Sequence, residues 1–252
     1  MYEKRFDGKG EIYARFRPTY PKAMLDYLYT KGGMHAGSVI ADVGAGTGIL
    51  TRLLLERGCT VFAVEPNADM RRKAEETLRS FAACHFTCGN AEQTLLPDHS
   101  VHFVTAAQAF HWFDRGKFKN ECMRILKRNG KIVLIWNCRD ETSALVQENE
   151  RINRQYCPQF RGFSGGMGTP AQREHVLQEF FESPYDIQIF DNPLTFREDD
   201  FLGRNFSSSY APDKASETGQ AYETALKALF QKYSQAGTLL VPNHTYCYIG
   251  TV

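Results

Sequence analysis

Residues 40–48 read Ile-Ala-Asp-Val-Gly-Ala-Gly-Thr-Gly, an apolar run that stops at glycines 44, 46 and 48. The run Val39–Val43 predicts a short buried strand. Ile49, Leu50, Leu53 and Leu54 then repeat at helical spacing until Gly58 ends the helix. A strand feeding a helix through three alternate glycines constrains the fold strongly. Glycines there let a ligand approach the backbone without a Cβ in the way, and the helix N-terminus offers free N–H groups. In open α/β sheets such a junction lies at the carboxyl edge, where ligands bind.

The same alternation continues to residue 137. Thr60–Val64 reads as a second strand. Asn67 is placed as an N-cap, followed by a helical stripe of Met70, Ala74, Leu78 and Phe81, for which core packing is the expected role of Met70. Residues 84–88 suggest a third strand, Val101–Ala107 a fourth and residues 131–136 a fifth. A helix carrying Phe118, Cys122, Ile125 and Leu126 lies between the last two and is broken at Asn129-Gly130. Strands alternating with helices predict βαβ units and a parallel sheet with helices on both faces. Beyond residue 137 the pattern loosens. Helices are expected over 142–156, 171–181 and 213–233, a glycine-rich loop over 159–169, and strands over 185–190 and 239–249.

Composition narrows the classes. The chain has 252 residues, a net charge of +1, 42% hydrophobic residues and 23% charged residues, enough to bury a sizeable core and too ordered in composition for global disorder. The near-neutral charge argues against a dedicated nucleic-acid binder, and Arg71-Arg72-Lys73 has acids nearby and reads as a solvated helix face. No apolar stretch approaches a membrane span, and the charged N-terminus lacks the apolar run of a secretory signal. Seven cysteines with no CxxC pair point to reduced thiols rather than a disulfide framework or a zinc site, so a cytoplasmic setting is expected.

The ligand of the glycine loop follows from its flanks. A dinucleotide fingerprint wants a third glycine at position 49, which is Ile49. Asp42 precedes the loop and would face a pyrophosphate badly but suit an ammonium group; it is equally placed to cap N–H groups of the loop. Glu65 ends the next strand, about 20 residues on, where an acid holds ribose hydroxyls. A nucleoside with a positive group and no phosphate satisfies all of these, as S-adenosyl-L-methionine does.

At these residues the sequence resembles the class I S-adenosylmethionine-dependent methyltransferases. Asp42 to Gly48 followed by Val64-Glu65-Pro66-Asn67 is similar to motif I and its companion. Gly89-Asn90-Ala91-Glu92 resembles the adenine-binding Gly-Asp-Ala-Glu of the ubiquinone/menaquinone-methyltransferase-like group. Gln108-Ala-Phe-His-Trp-Phe-Asp114 resembles the Gln-Ala-x-His-Trp-Phe of its small-molecule branch, which includes proteins like trans-aconitate methyltransferase. Ile125-Leu126-Lys-Arg-Asn-Gly130 resembles the family's Leu-Lys-Pro-Gly-Gly turn. The resemblance covers residues 10–138 well and the remainder poorly. It implies a Rossmann-like, seven-stranded, mostly parallel sheet with an antiparallel last strand, helices on both faces and a helical cover. The expected division is an N-terminal cap over 1–37, a core over 38–138, a helical lid over 139–184 and completing strands and helices over 185–252.

The implied activity is methyl transfer to a small molecule, at a carboxylate or a hydroxyl, by a monomer or homodimer. The implied cofactor residues are Asp42, Gly44, Ala45, Gly46, Gly48, Glu65, Pro66, Asn90, Ala91 and Gln108. Asn90 departs from the family's Asp and loses charge assistance at that bond. His102 departs at the start of the fourth strand and is read as surface variation. His111 is either a general base or orienting donor, or a structural histidine beside Trp112. Tyr13, Arg17, Tyr20 and Trp112 are candidate pocket residues. For Arg17 the choice is between pairing with a carboxylate and standing in solvent. Trp112 and Phe113 either wall the pocket or close the core. Tyr156, Phe160, Phe163, Phe206 and Tyr210 are candidate cover aromatics. The alternatives are an NAD-dependent oxidoreductase, a nucleic-acid methyltransferase, which lacks its Asn/Asp-Pro-Pro-aromatic signature here, and a non-catalytic protein that binds the cofactor.

Overall fold

The computed structural model describes residues 18–163, 170–181, 184–208 and 210–252. Helix α1 (Lys22–Thr30) precedes the sheet. Strand β1 (Val39–Val43) leads through the glycine loop to α2 (Ile49–Leu55), then β2 (Thr60–Val64), α3 (Ala68–Leu78), β3 (Cys84–Thr87) and β4 (Val101–Ala107). A 3-10 turn (Phe110–Trp112) and α4 (Arg115–Ile125) connect to the long β5 (Leu126–Arg139). Then come α5 (Ala144–Tyr156), α6 (Pro170–Phe180), β6 (Asp186–Asp191), β7 (Leu194–Phe196), α7 (Glu198–Phe206), α8 (Glu217–Tyr233), β8 (Leu239–Val241) and β9 (Asn243–Gly250).

Seven strands form one sheet in the order β3-β2-β1-β4-β5-β9-β6. The first five are parallel, β9 runs antiparallel to β5, and β6 pairs antiparallel with β9. The expected mostly parallel sheet with an antiparallel last strand is present. The chain reverses outward from β1 to fill both halves, so the topological switch lies between β1 and β4. Their carboxyl ends open a crevice there.

Alternation along β5 builds two cores, because successive side chains leave opposite faces. Ile132, Leu134 and Trp136 join Phe110, Phe118 and Phe180 on one face. Val133 and Ile135 join Met24, Leu28, Leu50 and Leu54 on the other. A third cluster stands apart from the sheet. Leu145 and Val146 of α5, Phe201 of α7 and Tyr222, Leu226 and Leu229 of α8 pack with Leu239 and Val241. A polar chain runs through it. The Tyr222 hydroxyl donates to Asn153 Oδ1 at 2.5 Å, Asn153 Nδ2 donates to Asn149 Oδ1 at 3.2 Å, and Asn149 Nδ2 donates to Asn205 Oδ1 at 3.4 Å. Residues 139–184 therefore divide: α5 belongs to this cover, while Leu177 and Phe180 of α6 pack on the sheet.

Several elements differ from the sequence expectation. Asn129-Gly130 does not end a helix before a new strand. β5 already begins at Leu126 and carries Asn129 at φ 64° beside a register shift against β4. The last strand is two, because Pro242 lacks the N–H a ladder needs. β7 and α7 have no counterpart in the reading, being short elements after Pro193 with no clear period. His102 is not surface variation: it is half-buried, its Nδ1 accepts from the Val39 N–H at 2.9 Å, and burial holds its pKa below the ordinary value.

Phe110 is fully buried, and its ring meets Phe113, Phe118, Trp136 and Phe180 at centroid distances of 4.7 to 6.4 Å. Phe110→Ala is expected to cost about 3–5 kcal/mol in denaturant unfolding. A loss under about 1 kcal/mol would mean the cluster refills the space.

Candidate functional site

The glycine loop turns because its three glycines lie at φ 70°, 59° and 82° for Gly44, Gly46 and Gly48, a region other residues enter at a cost. Two of them are also packed. A Cβ on Gly44 would fall 2.6 Å from Ala109 Cβ, and one on Gly48 would fall 2.7 Å from Leu78 Cδ1. Gly46 differs: a Cβ there meets nothing within 4 Å, so the loop's open side faces the crevice. Gly44 and Ala45 donate their N–H groups to the Val64 carbonyl at 2.9 and 3.2 Å, which ties the loop to β2.

Both acids of the motif are buried. Asp42 is 1% exposed; its Oδ2 accepts from the Thr51 hydroxyl at 2.6 Å and its Oδ1 from the Thr105 hydroxyl at 2.8 Å. Burial raises its pKa, against the lowering effect of these bonds. Glu65 is 8% exposed and clasps the loop: Oε2 accepts from the Gly46 N–H at 2.8 Å and Oε1 from the Asn67 N–H at 2.9 Å. Burial raises its pKa too, opposed by the two N–H donors. Asn67 caps α3 by accepting from the Met70 N–H at 3.0 Å, which sets the direction in which the chain leaves Glu65.

Above the loop lies a cavity of about 90 Å³. Its floor is Asp42, Gly44, Ala45, Gly46 and Thr47, and Tyr20, Gln108, Asn137, Arg139, Phe163, Arg204 and Asn243 contribute the walls. Gln108 enters with a left-handed φ of 57°, unusual for a side chain of its kind, and its Nε2 donates to the Asn137 carbonyl at 3.0 Å. The Thr47 hydroxyl and Asn243 Nδ2 are buried without a hydrogen-bond partner. The Arg139 guanidinium lies 3.7 Å from the Phe163 ring centroid and closes one side of the rim.

The sequence candidates separate into three groups. Asp42, Gly44, Ala45, Gly46, Gln108 and Tyr20 line the cavity, and Gly48 shapes the loop beneath it. Glu65, Pro66, Asn90, Ala91, His111 and Trp112 do not line it. Asn90 turns its Oδ1 to the Glu92 and Gln93 N–H groups at 3.1 and 2.8 Å, and the His111 ring lies 4.6 Å from that of Trp112. Tyr13 and Arg17 fall outside the described residues. Of the expected cover aromatics only Phe163 reaches the cavity; Tyr156, Phe160, Phe206 and Tyr210 pack within the cover cluster. Arg139, Arg204 and Asn243 were absent from the sequence reading. The only signal was their polarity among apolar neighbours, and nothing in the spacing brings them together. Among the described residues no group of His, Cys, Asp or Glu could hold a metal ion, and no helix is long and apolar enough to cross a membrane.

The strand order, the crevice at the switch point and the glycine loop together define a doubly wound α/β fold that solved methyltransferases share. Comparison with known proteins agrees. Residues 41–134 match the family described as methyltransferase domain. The chain is 40% identical over 147 residues to an uncharacterized methyltransferase of Mycobacterium tuberculosis, a match covering 58% of each chain. It is 32% identical over 145 residues to a methyltransferase-like protein of Schizosaccharomyces pombe, covering 57% of this chain and 56% of that one. The matched span thus takes in a little over half the length of these relatives. Among solved structures, a protein held to be a type II methyltransferase from Anaeromyxobacter dehalogenans aligns with TM-score 0.65 at 22% identity, over 94% of this chain and 98% of that one. A phosphoethanolamine N-methyltransferase of Haemonchus contortus, bound to phosphomonomethylethanolamine and S-adenosylhomocysteine, aligns with TM-score 0.57 at 15% identity, over 100% of this chain and 60% of that one.

The buried acid of the floor gives a pH prediction. The folded-state pKa of Asp42 is raised, so its contribution to stability is fully present below the unfolded value and is lost as pH rises through the folded one. Asp42→Asn is therefore expected to gain stability relative to the native chain as pH rises from about 4 toward 7. Paired thermal melts across that range check it, and a difference that is flat or of opposite slope contradicts it.

Proposed function

We propose that this chain transfers a methyl group from S-adenosylmethionine to a small-molecule acceptor, in the manner of the small-molecule branch of the ubiquinone/menaquinone-methyltransferase-like group, which contains trans-aconitate methyltransferase. The observation that carries the reading is the open-sided loop at Gly46, clasped by the Glu65 carboxylate.

The residues present fit that cofactor. The Thr47 hydroxyl is buried at the loop without a partner and is available to a bound ligand. Glu65, at the end of β2, is the acid for ribose hydroxyls, and Gln108 and the Asp42 floor face the amino-acid end. A pyrophosphate would meet the Asp42 carboxylate at the floor and a Gly46 N–H already given to Glu65, which argues for the sulfonium compound over a nicotinamide dinucleotide. Pro66, Asn90 and Ala91 fit the adenine side, beside β3 and outside the cavity.

When bound, the cofactor supplies an electrophilic methyl group on a sulfonium. The chain's part is to hold the acceptor in line and keep water out. Positioning of this kind is worth about 7–11 kcal/mol. A carboxylate acceptor needs no base at neutral pH. We place His111 in the support of the β4 turn, since it stands outside the cavity lining with its ring on Trp112.

Calorimetry with S-adenosylhomocysteine and NAD tests the reading. Binding of the first and not the second is expected; the reverse overturns it. Glu65→Ala is expected to weaken S-adenosylhomocysteine by about 1.5–3 kcal/mol, the worth of hydrogen bonds to a charged group. Unchanged affinity removes the ribose role. His111→Gln is expected to lower kcat less than about tenfold, whereas a positioned base contributes about 10²–10⁴-fold. A larger loss, with one limb of the pH profile gone, would return His111 to the reaction.

A further inference from the structure

We propose that the wall of the cavity farthest from the nucleoside edge is an anion subsite that holds a carboxylate of the methyl acceptor, formed by Arg139, Arg204 and Asn243. The inference rests on the cofactor reading above for which side of the crevice the acceptor enters.

Three observations converge. Arg139 at the end of β5 and Asn243 at the start of β9 are register partners across the antiparallel ladder, and Arg204 on α7 lines the same cavity from the cover. Two arginines and an asparagine thus line one space from three elements. Asn243 is 4% exposed, and its Nδ2 has no hydrogen-bond partner. A buried donor left unmade carries a desolvation penalty that a bound oxyanion removes. Among the described residues the cavity lining holds one acid, Asp42, and its carboxylate is spent on the Thr51 and Thr105 hydroxyls. The wall therefore favours an anion, and two planar guanidinium forks suit a carboxylate.

The sheet order says whose carboxylate it is. Glu65 stands at β2, the loop at β1 and Gln108 at β4, so on that reading the residues that would hold the cofactor lie along β2, β1 and β4. Arg139 and Asn243 stand beyond these strands at β5 and β9, with Arg204 above them. The cofactor's own carboxylate belongs with the β1–β4 side. The guanidinium of Arg139 is oriented by the Phe163 ring at 3.7 Å, which leaves less of its freedom to be lost on binding.

Thermal melting tests the subsite by ligand-induced stabilisation. The probes are succinate, benzoate and propanoate against succinamide, benzamide and propanamide, each with and without saturating S-adenosylhomocysteine. At least one acid is expected to raise the melting temperature by about 3 °C or more at roughly ten times its dissociation constant, and its amide is expected to have no effect. Arg204→Gln and Arg139→Gln are expected to weaken that acid by about tenfold or more while S-adenosylhomocysteine affinity stays within about twofold. Arg204→Lys, which keeps the charge and loses the fork, is expected to fall between. Far-UV circular dichroism establishes that each variant is folded, and the two glutamine variants lie on different elements, so one misfolded variant leaves the other to decide. The proposal is overturned if no acid stabilises the protein, or if amides act as well as acids. It is also overturned if the glutamine variants lose S-adenosylhomocysteine but keep 5′-methylthioadenosine, since the arginines would then hold the cofactor's carboxylate. If S-adenosylhomocysteine fails to bind the native chain while an acid still stabilises it through Arg139 and Arg204, the cofactor reading falls and the anion subsite stands.

Discussion

The Asp42 carboxylate, buried in the middle of the sheet, divides its two oxygens between Thr51 on α2 and Thr105 on β4. A charged group so placed is costly unless its partners are close and well aimed. Here they fix three elements at once: the end of β1, the first turn of α2 and the centre of β4. The glycine loop has almost no freedom left between these points. Glu65 completes the arrangement from the neighbouring strand by taking the Gly46 N–H. The open side of the loop is held open by bonds that all lie beneath it.

This arrangement explains why the front half of the molecule was legible from its sequence. β1, β2 and β4 begin and end where the apolar runs do, and Asn67 caps its helix as its position before Ala68 implies. Each of these depends on neighbours along the chain or on a period of two or four residues. The cover depends on neither. β7 and β8 have three residues each, and α7 begins after an Arg197 whose side chain makes no cap. These elements exist because Leu194, Phe196 and Phe201 find Leu239, Val241 and Phe230 across the fold. The sites were legible in the same proportion. The loop and its two acids could be found by spacing, whereas Arg139, Arg204 and Asn243 meet only through the packing of the cover on the sheet.

The division has a counterpart in the comparisons. The family match ends at residue 134, within β5. Asn137, Arg139, Phe163, Arg204 and Asn243, which make the far wall of the cavity, all follow it. The matched part of the chain builds the loop and the parallel strands from β1 into β5, while β6 and β9 follow it. The far wall of the cavity is built from segments outside that match, as expected when sites are grafted on a common scaffold.

The chain of amides inside the cover has a mechanical consequence. Asn149, Asn153, Asn205 and Tyr222 bond in series across α5, α7 and α8, within an otherwise apolar cluster. Sliding any one of these helices by a turn would leave several dry polar groups stranded together, so the three resist shear as a single slab. Admission of a molecule larger than the present space must then be accommodated at the seams where the slab meets the sheet, at the Arg139–Phe163 contact and around Pro242, with the slab itself turning as one piece.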